Sequence, residues 1–222
     1  MRTEHALRWR LRGKGVLALA AALLSVGGGV APARAVEARP AASAATRAPS
    51  EDEVAAAFLL NFLRYTDWPP RTFATADAPF VIAVVGNEAV ATHVRAVVAA
   101  AGRINGRNVE VRWIPSARGT RAAPFDSLPD RENLSQLRRS HLAFFHSSAG
   151  DVPAQALSDL WGQPVLTVSD VPDFTRAGGM LGLVRVSGRI AFEANPVAIR
   201  NARLMLSAKV LKLARLTGGP RS

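Results

Sequence analysis

Cysteine is absent from all 222 residues. That removes disulfides, thiolate metal ligands and thiol nucleophiles together. A chain of this size can bury an adequate core without cross-links, so folding does not require them. Lysine is nearly absent too: only Lys14, Lys209 and Lys212 stand among 28 basic residues. Histidine is sparse, and beyond the N-terminus only His93, His141 and His146 occur. His141 and His146 are five positions apart, which puts them on opposite faces of one strand and argues against a shared metal. The chain also lacks a G-x-S-x-G elbow, an H-E-x-x-H pair, an EF-hand loop and a glycine-rich phosphate loop. Adjacent Ser147, Ser148 and His146 offer hydrolase chemistry only in order along the chain, and adjacency is not a catalytic geometry. No residue is assigned a catalytic, metal-ligating or cofactor-binding role, and no cofactor is expected.

The longest apolar run, Val16 to Val30, is about 15 residues, short of the ~20 that span a bilayer as a helix. It follows a basic stretch with Arg2, Arg8, Arg10, Arg12 and Lys14, and it precedes Ala33-Arg34-Ala35. That order is a secretory leader with an A-x-A cleavage site, so residues 1–35 read as a signal peptide and the protein as exported to the periplasm. An uncleaved anchor is the alternative. Without the leader the chain keeps 22 basic and 16 acidic residues, a net charge near +6. In an exported protein such basicity points to acidic partners or peripheral contact with a membrane, not to nucleic acid.

Residues 36–49 lack apolar periodicity and read as a disordered linker. Ser50 and Glu53 then have capping-box spacing, opening a helix that Trp68-Pro69-Pro70 stops. Phe80 to Val85, Leu142 to Phe145 and Pro164 to Val168 are short continuous apolar runs, as expected of strands covered on both faces. Val109 to Ile114 alternates as a half-buried strand after the Asn105-Gly106 turn. Helices are expected at Glu88 to Ala101, Glu132 to Arg139 and Pro153 to Leu160, and residues 115–131 read largely as a loop. Met180 to Val186 and Arg189 to Ala194, joined by Ser187-Gly188, form an antiparallel hairpin. Asn195-Pro196 begins a last helix expected to run to about Leu216. The fold class is α/β: a single three-layer domain over 50–216, with a mainly parallel sheet, a C-terminal antiparallel hairpin and flanking helices. Residues 217–222 are a flexible tail.

Gly86 ends the first buried strand and serves either a tight turn or close approach of a ligand. Asp170 ends another strand, where α/β ligand sites gather, although capping the segment Val171 to Arg176 explains it equally well. Gly178-Gly179 after Phe174 marks an unusual turn, and Glu193 is either a partner-facing charge or the polar position of its strand.

Ala57-Phe-Leu-Leu-Asn-Phe-Leu-Arg-Tyr-Thr-Asp-Trp-Pro69 resembles the opening helix and aromatic exit of the YfiR family. The likeness continues through Pro164-Val-Leu-Thr-Val-Ser-Asp170, Phe174, Gly178-Gly-Met180, Gly188-Arg-Ile-Ala-Phe-Glu-Ala-Asn195 and Leu206 to Ala214, covering roughly 51–215. The resemblance implies a periplasmic regulator, not an enzyme. Such a protein holds down a membrane-bound diguanylate cyclase by contacting its periplasmic sensor domain, and so governs cyclic-di-GMP signalling and biofilm growth. It also implies a homodimer, and it makes Phe174, Gly178, Gly179, Met180, Glu193 and Asn195 the candidate partner-binding residues or their scaffold. A small-ligand-binding protein, or a partner of a sensor kinase or outer-membrane receptor, is the alternative. Family members often carry redox-responsive cysteine pairs; this chain has no cysteine with which to do so.

Overall fold

The computed structural model describes residues 49–86, 88–115, 128–150 and 154–217. The leader, nearly all of the linker, most of the 115–131 loop and the end of the tail lie outside the described residues. Helix α1, Glu51–Arg64, begins with the expected capping box: Ser50 Oγ accepts from the Glu53 amide at 3.2 Å while the Glu53 carboxylate accepts from Ser50 N–H. Its buried face carries Leu59, Leu60, Phe62 and Leu63. After Tyr65 the chain forms the two-residue strand β1, Thr66–Asp67.

Strand β2, Phe80–Gly86, is buried at all seven positions. Helix α2, Glu88–Ala101, leads through the Asn105-Gly106 turn, both residues at positive φ, to strand β3, Val109–Pro115. Helix α3, Leu128–Arg138, starts four residues before the expected Glu132. Strand β4, Leu142–Phe145, helix α4, Ala154–Leu160, and strand β5, Leu166–Ser169, follow. Strands β6, Leu181–Val186, and β7, Arg189–Ala194, form the expected hairpin, with Ser187 and Gly188 at φ 49° and 75° as a two-residue turn of this kind requires.

The last stretch differs from the expected single helix. Helix α5, Pro196–Asn201, stops after six residues; strand β8, Met205–Leu206, helix α6, Ala208–Leu211, and strand β9, Arg215–Leu216, replace the rest. The cause is a left-handed residue at the helix end. Arg203 sits at φ 59°, its amide donates to Arg200 O, and the Leu204 amide donates to Ile199 O at 3.2 Å. That is the closing pattern of a helix C-terminus usually built on glycine. The chain then turns out to pair β8 with β1, Thr66 against Leu206.

The main sheet has the order β3-β2-β4-β5-β6-β7-β9; strands β3 to β6 run parallel, and the antiparallel hairpin follows. Alternation along the strands divides the core into two layers. Phe80, Ile82 and Val84 of β2 and Leu142 and Phe144 of β4 pack on the α1 side. Ala83, Val85, Ala143 and Phe145 face the opposite layer with Leu157 and Leu160 of α4. Thus each central strand, one apolar run in sequence, serves both layers of a three-layer α/β domain.

Candidate functional site at the carboxyl ends of the strands

Chain order reverses between β2 and β4: β3 lies to one side of β2, and the chain returns to place β4 on the other. In open α/β sheets this switch point, at the strand carboxyl ends, is where ligands gather. Here Gly86 closes β2 at φ 130°. A Cβ on it would stand 2.7 Å from Ser148 Oγ and 3.3 Å from His146 Cβ. The glycine therefore admits the protein's own turn, Ser147 to Ala149, against the end of β2.

His146 follows β4 directly. Its Nδ1 accepts from the Ser148 amide at 3.1 Å and lies 2.8 Å from Ser148 Oγ. With Nδ1 taken as acceptor, the neutral ring is assigned its proton on Nε2. Nε2 stands 3.4 Å from Asp52 Oδ1 of α1 and 3.4 Å from Asp170 Oδ2 at the end of β5. Asp170 also accepts from the Ser147 amide at 2.6 Å and the Ser147 hydroxyl at 2.9 Å. It does not cap the Val171 segment; Ser169 Oγ accepts from the Val171 amide instead. Asp52 reaches His93 of α2 at 3.8 Å, and neighbouring Glu51 pairs with Arg185 of β6.

Glu51, Asp52, His146, Ser147, Asp170 and Arg185 border an open cleft of about 430 Å³, whose other wall is Leu183, Val184 and Ile190 of the hairpin. The Ser148–His146 distance suits a nucleophile and its base. Ser148, however, is locked into its own turn beside Gly86, and the cleft is lined by Ser147 instead. What the arrangement does is tie the first turn of α1 to the ends of β4, β5 and β6. Among the described residues no group of three His, Asp or Glu side chains is placed to hold a metal.

The six residues singled out from the sequence form a second cluster. Phe174 is buried in the α4-side core against Phe145, their ring centroids 6.2 Å apart. A Cβ on Gly179 would fall 2.2 Å from the Phe174 ring, so only glycine fits. Gly178, at φ 107°, is half-buried beside Trp161. The amide of buried Met180 donates to Thr167 Oγ1 at 3.1 Å. Asn195 is fully buried: its Oδ1 caps α5 through the Val197 and Ala198 amides, and its Nδ2 donates to Thr175 O at 3.1 Å. Half-buried Glu193 accepts from Thr175 Oγ1 at 3.1 Å. Thr175 thus joins the glycine turn to the hairpin and to α5. In the isolated chain all six have internal work to do.

Sequence reading missed the joining of Asp52, His146 and Asp170, because only strand order brings them together. His141 lies elsewhere and is buried. Its Nδ1 accepts from the Val81 amide at 3.0 Å, Nε2 has no partner, and Phe73 stacks on the ring at 4.6 Å. Burial, then the Arg107 charge, lowers its pKa from 6.5 to about 4.

Fold and site together define an α/β domain whose polar cleft lies at the carboxyl ends of a mainly parallel sheet. The chain belongs to the YfiR/HmsC-like family, whose model matches residues 52–215. No curated protein matches it. Among the described residues no helix is long and apolar enough to cross a membrane.

Proposed function

We propose that the protein is an exported regulator that binds and does not turn over a substrate. It holds a membrane-bound diguanylate cyclase in its inactive state by contacting that enzyme's periplasmic sensor domain. The observation that carries this reading is the family match, which spans nearly all of the described domain. Export through a leader cleaved after Ala35 and assembly as a homodimer belong to the same proposal. So does the partner contact, for which Gly178 and Glu193 supply the accessible rim while Phe174, Gly179, Met180 and Asn195 hold its shape.

The mechanism is a population shift: the regulator must bind one state of the sensor domain more tightly than the other. The test is direct binding of the exported protein to the isolated sensor domain of a cyclase encoded beside it. Saturable binding that Glu193→Gln weakens, its amide oxygen keeping an acceptor for Thr175 Oγ1 and its melting temperature staying near the parent's, supports the reading. No binding to that sensor domain speaks against it.

The cleft beside His146 favours a second reading, delivery of a small ligand, since its volume lies within the usual range of small-molecule sites. A ligand bound only by the folded state raises the melting temperature. Screening periplasmic metabolites for such a rise separates the two readings.

A further inference from the structure

The three most exposed large apolar side chains of the described domain are Leu213, Met205 and Leu216, at 76, 68 and 63% exposure. All fall in one segment, Met205 to Leu216, which also carries both lysines of the domain, Lys209 and Lys212, and Arg215, all three exposed. The same segment buries Leu206 and Val210 in the α1-side core. Its core contacts are therefore already made by other residues, and the outward leucines are surplus to folding.

Charge on this stretch has one sign. No Asp or Glu follows Glu193 in the sequence. Among the described residues, Arg203, Lys209, Lys212 and Arg215 make no ion pair, whereas Arg112, Arg138, Arg176 and Arg185 each do. Two carboxylates lie nearby: Glu193, opposite Arg215 in register but bonded to Thr175, and Asp67, opposite Met205. Tyr65, 41% exposed, adjoins the patch through its carbonyl, which accepts from the Ser207 amide.

We propose that Met205 to Leu216 is the surface by which this protein rests on an anionic lipid bilayer. Unpaired cations beside projecting aliphatic side chains match a charged headgroup layer over an apolar interior. Protein hot spots instead favour aromatic and arginine anchors seated in pockets. Long lysine side chains lay their methylenes along the apolar boundary and keep the ammonium in the headgroups, and a tyrosine suits the same depth. The proposal goes beyond the regulatory reading, which concerns the contact with the cyclase.

The test is vesicle sedimentation of the exported protein, its processed N-terminus confirmed. Vesicles containing phosphatidylglycerol are compared with pure phosphatidylcholine. Binding to the anionic vesicles alone, weakened by salt, is expected. Each cation at such a surface strengthens binding about fivefold, so the combined Lys209→Gln, Lys212→Gln and Arg215→Gln variant should lose about 100-fold. Leu213→Ser with Leu216→Ser should lose about tenfold. Removing equal charge elsewhere, by Arg95→Gln, Arg131→Gln and Arg139→Gln, should change binding by less than about twofold. Equal loss in the two arginine and lysine sets, equal binding to neutral vesicles, or no vesicle binding would each overturn the proposal. Loss of cyclase sensor binding in the first variant, without any vesicle binding, would reassign the patch to a protein partner.

Discussion

His141 accepts the Val81 amide on Nδ1 and leaves Nε2 buried without a partner, so protonation would place an uncompensated charge in an aromatic setting. Its pKa of about 4 lies below the 6.5 of the unfolded chain. Between those values the unfolded state binds more protons, so stability is complete above about pH 6.5 and falls as pH drops through 4. Allowing for solvent near the ring, the loss is about 1–3 kcal/mol. In His141→Asn the amide oxygen still accepts from Val81, but the titrating group is gone. Urea midpoints of that variant should change less between pH 7 and pH 4 than those of the parent; an unchanged slope would assign the acid sensitivity to the carboxylates. Gly179 poses a steric problem instead. Gly179→Ala must displace the buried Phe174 ring, at a cost of about 2–3 kcal/mol read as a lower urea midpoint. The sequence marked this glycine pair as unusual without revealing what approached it, because the Phe174 ring folds back from within the same turn.

At the level of elements, what could be read from the sequence was what local rules determine. The capping box at Ser50 and Glu53, the apolar runs of β2 and β4 and the Ser187-Gly188 turn each state their structure within a few residues. The end of α5 does not, because its left-handed residue is Arg203, where the usual glycine signal is missing. Arg203→Gly should relieve that conformation and raise stability by about 0.5–1 kcal/mol, visible as a higher melting temperature. A lower one would contradict this account of why the helix stops. The cleft was hidden for another reason. Asp52, His146 and Asp170 lie on three elements, and no local pattern announces that β4 lies between β2 and β5 or that α1 starts above their ends.

For the molecule as a whole, the proposed function sets a modest energetic demand: holding a cyclase 99% inactive from an even balance of states requires about 2.7 kcal/mol of differential binding. A few well-placed contacts supply that amount, so a small domain suffices. Because the chain has no cysteine, thiol–disulfide exchange within it plays no part in whatever it senses. The most direct measurement is intracellular cyclic-di-GMP in cells lacking this protein but retaining a membrane diguanylate cyclase encoded beside it. The level should rise, and fall again when the protein is returned with its leader; an unchanged level would contradict repression of the cyclase.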